Sequence, residues 1–235
     1  MENRKYDCPK CRDTGFILFD DGTGHSYAQP CKCREIKEAK ERLARSGLAK
    51  EFKAKTFENY RTGGKPQLED AKRRIRQYTE LFHEIKNNRF NSVILSGQVG
   101  AGKTHLGTAC SVCLIEKGIP VVYMGYREEI TNLKSKIMNE QAYSIAVNRF
   151  KNASVLFIDD FLKGRLTESD VNIVYEIVNY RYNNNLPFII STEKTLGGLI
   201  DFDEAIGSRL IEMSRGWIIV FKGEELNYRL YGGDK

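Results

Sequence analysis

Short apolar runs recur along this chain at intervals too long for hairpins. Ser92-Val93-Ile94-Leu95 is the first, and Pro120–Met124, Ser154–Ile158, Pro187–Ile190 and Trp217–Phe221 repeat it, which predicts five strands. The stretches between them have helical spacing: Lys103–Glu116, one or two polar helices over Arg127–Asn148, then Glu168–Tyr182 and Asp203–Met213. Strands alternating with helices predict an α/β fold, a parallel five-stranded sheet with helices on both faces. Upstream, the charged, alanine-rich segment from Arg34 to Ala49 reads as a connecting helix ending near Gly47. Phe52, Phe57 and Tyr60 mark an extended segment. Gly63-Gly64 and Pro66 then break the chain before a helix over about Gln67–Lys86. Little chain follows Phe221, so a C-terminal helical lid is expected to be very short or absent.

One junction in this pattern carries chemistry. Between the first strand and its helix lies Gly97-Gln98-Val99-Gly100-Ala101-Gly102-Lys103-Thr104, the strand–GxxxxGKT–helix arrangement of a phosphate-binding loop. Glycines let successive backbone N–H groups point at phosphate oxygens, and the helix N-terminus adds partial positive charge. Lys103 would reach the β- and γ-phosphates, and the Thr104 hydroxyl would ligate magnesium. With His105, which follows directly, these residues are the candidate ATP contacts.

The strand Val155-Leu156-Phe157-Ile158 ends in two carboxylates. Asp159 would hold the magnesium through Thr104 or water, and Asp160 would polarise the attacking water. Glu is the usual residue in that second position, so slow or partner-dependent hydrolysis is expected. The strand Phe188-Ile189-Ile190 ends in Ser191-Thr192-Glu193, where Thr192 is the candidate sensor of the γ-phosphate. Arg209, Arg215 and Arg229 are candidate guanidinium donors to the transferring phosphoryl group.

Six cysteines fall into two groups. Cys110 and Cys113 sit three apart on the helix after the loop and should pack inside. Cys8, Cys11, Cys31 and Cys33 form two close pairs around a turn-rich stretch with Gly15, Gly22, Gly24 and Pro30. Four thiolates so spaced can enclose a structural zinc ion, and residues 1–34 are too few for an apolar core of their own. His25 is an alternative ligand if the tight CxC pair turns one sulfur outward; a redox use of the thiols is the competing reading.

At 235 residues with 41% hydrophobic content, the chain holds one medium domain and a small appendage. No apolar run approaches the roughly 18–20 residues that span a bilayer, and Met1–Tyr6 lacks a signal-peptide core, so a cytoplasmic location is expected. A net charge of +6 is compatible with nucleic acid without requiring it.

Together these pieces resemble the DnaC/DnaI group of helicase loaders among AAA+ ATPases, including phage versions. The resemblance spans nearly the whole chain and rests on the cysteine head, Ser46-Gly47-Leu48 through Lys55-Thr56-Phe57-Glu58-Asn59-Tyr60, the phosphate loop and Ile158-Asp159-Asp160. Ile206-Gly207-Ser208-Arg209-Leu210 and Asn227-Tyr228-Arg229 extend it. It implies a zinc-binding, helicase-docking module with a linker helix over residues 1–50 and an ATPase domain over 51–235. It also implies self-assembly, binding of a replicative hexameric helicase and of single-stranded DNA, and ATP hydrolysis as the switch. Arg209 matches the family's interface arginine, with Arg215 a nearby trans-acting alternative; Arg229 matches the arginine reaching the phosphates within one subunit; the segment around Phe57 would lie near the adenine. The family usually has Asn where Glu193 stands. For the DNA surface the candidates are Arg127, Lys134, Lys136 and Arg149 as cations and Tyr126 as a stacking face. A transposition-helper ATPase of the IstB type and a non-catalytic adaptor that binds ATP structurally are the competing functions. Relatives of the former generally lack the cysteine head.

Overall fold

The computed structural model describes residues 6–20, 22, 25–34, 36–38 and 54–231. Ser46-Gly47-Leu48, Phe52 and most of the expected connecting helix lie outside the described residues; residues 32–34 and 36–38 are helical. The N-terminal head contains an antiparallel hairpin, β1 (Phe16–Asp20) and β2 (Ser26–Pro30), where the sequence suggested only turns.

The main sheet has five strands: β3 (Val93–Gly97), β4 (Val121–Gly125), β5 (Val155–Phe161), β6 (Phe188–Thr192) and β7 (Ile218–Phe221). Their order is β4-β5-β6-β3-β7, with every neighbouring pair parallel. Among the described residues beyond the head, the α-helices are α1 (Pro66–Ile85), α2 (Lys103–Glu116), α3 (Tyr126–Lys134), α4 (Glu140–Lys151), α5 (Glu168–Asn183), α6 (Leu196–Phe202), α7 (Glu204–Met213) and α8 (Tyr228–Tyr231).

Period-two alternation explains the two layers. Val93 and Leu95 of β3, Phe157 of β5 and Ile189 of β6 bury against α1 and α2, while Ile94, Ile158 and Ile190 bury against α3, α5 and α7. On α1 the buried positions Leu68, Ala71, Ile75, Tyr78 and Phe82 recur at helical spacing behind Pro66, which suits the first turn. Cys110 is fully buried among them and Cys113 partly so, as expected.

The polar region 127–148 is two helices. α3 stops near Ser135, and Asn139 restarts the chain as α4 by accepting the Ala142 N–H at 3.0 Å. Thr167 and Asp170 form a reciprocal capping box at the head of α5. α6 was not anticipated, because its two glycines obscure the pattern; Thr195 caps it through the Gly198 N–H at 3.0 Å.

Arg181 on α5 is wholly buried and ties three elements together. Its guanidinium donates to the carbonyls of Phe150 (2.9 Å), Lys151 (3.2 Å), Ala153 (2.7 Å) and Pro187 (2.6 Å), while the Phe188 ring stacks below at 4.9 Å. It thereby satisfies carbonyls at the C-terminal end of α4 that the helix leaves open. Arg181→Ala should cost about 3–5 kcal/mol in a denaturant titration, since it orphans buried acceptors and leaves a cavity. A loss below about 1 kcal/mol would show that water replaces the guanidinium without penalty.

Candidate functional site

The ends of β3, β5 and β6 and the start of α2 surround one cavity of about 760 Å³. Its lining divides chemically. Val99 to Thr104, Asp159, Asp160, Lys163, Glu193 and Arg229 supply charge and backbone N–H groups. Tyr60, Leu68, Leu226 and Tyr228 supply flat and apolar surface.

The loop between β3 and α2 has the shape its glycines predict. Gly97, Gly100 and Gly102 have φ of +113°, +74° and +79°, in the left-handed region. A Cβ on Gly102 would meet the Tyr60 ring at 2.6 Å. Among the described residues no side chain caps α2, which leaves its first-turn N–H groups open to an anion. Lys103 Nζ folds back on the loop, donating to the carbonyls of Gly97 at 2.8 Å and Gln98 at 2.7 Å. Burial lowers its pKa, and the carboxylates of Glu193 and Asp160 oppose that fall.

Asp159 is almost fully buried and is held by three hydroxyls. Thr104 Oγ1 donates to it at 2.9 Å, Tyr123 Oη at 3.2 Å, and Ser191 Oγ through a short bond. Burial pushes its carboxyl up from the usual range, while these donors pull it back. Asp160 follows in a left-handed conformation (φ +54°), where β5 and β6 slip register between Ile158 and Phe161. Asp tolerates this backbone better than a longer residue would.

The structure distributes the sequence-predicted residues unevenly around the cavity, with His105 among its lining. Thr192 is fully buried and lines no part of the cavity, because its hydroxyl donates to the Phe161 carbonyl at 2.8 Å and accepts the Lys194 N–H at 3.1 Å. Ser191 is the residue of β6 that reaches Asp159. Phe57 lies in the core with Arg76 over its ring; Lys55 and Asn59 to Thr62, from the same segment, line the cavity instead. His105 bonds the Thr56 carbonyl at 2.8 Å and packs edge-on against Tyr60 at 5.2 Å, while Tyr60 Oη donates to Ala101 O at 3.1 Å. This staples the segment to the phosphate loop.

Arg229 lines the cavity, but Arg209 and Arg215 do not. Arg209 donates to Ala205 O at 2.8 Å and lies over the rings of Tyr175 and Tyr182; Arg215 lies over Phe90. Tyr126 cannot be a stacking face, because it packs edge-on against Phe161 and is only 3% exposed. The cations around it are largely paired: Lys134 with Asp170 at 2.9 Å and Arg149 with Glu129 at 3.5 Å.

In the head, the Sγ atoms of Cys8, Cys11, Cys31 and Cys33 all lie within 4.8 Å of one another, and His25 is not part of the group. Tetrahedral zinc with bonds of about 2.3 Å requires sulfurs about 3.8 Å apart. Cys8–Cys31 is 3.8 Å and Cys11–Cys33 is 3.3 Å, so the donor set fits such an ion without the histidine.

Ser191, Tyr123 and Lys163 escaped sequence reasoning. The detectable signal was parity: Tyr123, Phe157 and Ile189 share one face, which carries Asp159 and Ser191 to that face two residues on.

Compared with known proteins, residues 23–210 match the family described as IstB-like ATP binding protein. The phage-like element PBSX protein XkdC of Bacillus subtilis is 38% identical, over 97% of this chain and 88% of its own length. The replicative helicase loader DnaC of Escherichia coli K12 is 28% identical over 73% of this chain and 67% of its own. Among solved structures, the crystal structure of the DnaC helicase loader superposes with a TM-score of 0.58 at 24% identity, covering 74% of this chain and all of that one.

Proposed function

We propose that this chain, which belongs to the IstB-like ATP-binding protein family and carries its AAA+ domain, is an ATP-dependent loader that delivers a replicative hexameric helicase to single-stranded DNA. The observation that supports this most is the joining of a four-sulfur head to a phosphate-loop cavity. Likeness to the E. coli loader adds to it.

In this reading residues 1–50 dock the helicase and residues 51–235 bind and hydrolyse ATP. Cys8, Cys11, Cys31 and Cys33 would hold zinc, which supplies folding free energy to a head with little core. Lys103, the loop N–H groups and Arg229 grip the phosphates. Thr104 and Asp159 would hold magnesium, which when bound would offset the negative charge of the phosphates. Asp160 is the carboxylate that accepts a proton from the attacking water. Arg209 or Arg215, neither of which lines the chain's own cavity, would serve a neighbouring copy in an assembly.

Tested with the full chain and the replicative helicase of its source cell, the helicase should be captured and a zinc chelator should abolish capture. ATP turnover should rise several-fold with single-stranded DNA. Capture that ignores the chelator, or none, would sink the docking role. One observation favours the adaptor instead: Asp160 is tied into an ion pair with Lys163 at 3.0 Å. Tight ATP binding with no turnover under any condition would select that reading, and capture of a transposase would select the IstB-type helper.

A further inference from the structure

A carboxylate just past the end of β6 would repel a triphosphate. Glu193 nevertheless lines the same cavity as Lys103 and Thr104, close to two more acids, Asp159 and Asp160. What makes this arrangement tenable is Lys163. Its Nζ lies 3.0 Å from Asp160 Oδ2 and 3.2 Å from Glu193 Oε1, bridging the two carboxylates at the cavity mouth.

The backbone around the bridge is fixed. The Asp160 N–H donates to Ser191 Oγ at 2.9 Å, and the Lys163 N–H closes a turn onto the Asp160 carbonyl at 3.1 Å. With the anchor held by these two bonds, side-chain torsions would carry the ammonium from one anion to another. All three partners are between about a third and a half exposed, so the pairs themselves contribute little stability and exchange readily for a stronger anion. A terminal phosphate carries more charge than either carboxylate.

The geometry points to Lys163 as a further phosphate-contacting cation beside Lys103 and Arg229, specific for the γ-phosphate, which Glu193 and Asp160 hold ready at the mouth and surrender when ATP enters. This rests on the ATP-binding reading above. It supplies a reason for an acid at position 193: Glu193 orients the lysine rather than the phosphate. It also couples sensing to chemistry, because the lysine that moves to the phosphate releases Asp160 to face water. Lys163 lies near enough to Lys103 to disfavour its charge, while Asp160 and Glu193 favour the charged form of Lys163 itself.

The test is affinity for ATP against ADP in the full chain, measured by calorimetry with a slowly hydrolysed ATP analogue and with ADP. Lys163→Met should weaken the ATP analogue roughly tenfold and ADP less than twofold, and Lys163→Arg should restore most of the preference. The double variant Lys163→Met/Glu193→Gln separates this role from simple neutralisation of Glu193. If Lys163 contacts phosphate, the double variant stays weak for ATP; if Lys163 only masks Glu193, the double variant recovers wild-type affinity and the proposal fails. Equal losses for both nucleotides, or none, would also overturn it. A wild-type chain binding neither nucleotide would sink the ATP-binding reading and this proposal together, a result distinct from the others.

Discussion

Lys103→Ala should reduce ATP turnover by roughly 10³-fold and leave the fold intact. Transferring a phosphoryl group involves little covalent help from the protein, so most of the rate comes from charges fixed around the phosphates. Lys103 is the most deeply set of the cavity's cations, reaching the Gly97 and Gln98 carbonyls at the root of the loop. Its substitution therefore removes a positive charge from a partly desolvated place, where the charge counts for more than at the surface. Lys103→Arg should not rescue, because a planar guanidinium cannot occupy the narrow position between two loop carbonyls. Steady-state phosphate release and nucleotide titration would measure the loss, with a circular dichroism melt as the control for folding. Turnover within threefold of wild type would mean that hydrolysis, if present, occurs elsewhere.

The second large effect concerns the head. Cys11→Ser combined with Cys31→Ser should eliminate bound zinc, expected at about one ion per chain, and unfold the head while the ATPase domain melts as before. Cys11 and Cys31 are the two buried members of the cluster. Around them the apolar residues of the hairpin are poorly covered: Leu18 is 75% exposed and Tyr27 50%. A two-stranded hairpin with so little burial does not hold itself together in water. Metal analysis of the purified chain and limited proteolysis would read the two consequences separately. A metal-free wild type whose head resists protease as well as the chelated form would refute a zinc-built head.

These two sites were legible in the sequence to different depths. The shape of the loop over Gly97–Thr104 was legible, because it rests on glycines at a fixed spacing within eight residues, and Gly97, Gly100 and Gly102 take the left-handed backbone. The cysteine pairs were visible, but the tightness of Cys31-Lys32-Cys33 left His25 in contention until the hairpin register, pairing Phe16 with Pro30, brought all four sulfurs together. Tyr126 read as an accessible aromatic beside cations. In the fold it opens α3 at the end of β4 and turns onto Phe161 in the core.

The sequence by itself determined the alternation of strands and helices, the two-faced burial of the sheet, the phosphate loop and the paired aspartates, since each is set by local spacing and propensity. Tertiary structure alone decided which side chains meet across the sheet. β6 had to lie between β3 and β5 before Ser191 rather than Thr192 could reach Asp159, and before Glu193 could share Lys163 with Asp160. Strand order and register link residues far apart in the chain, and no local periodicity encodes that choice.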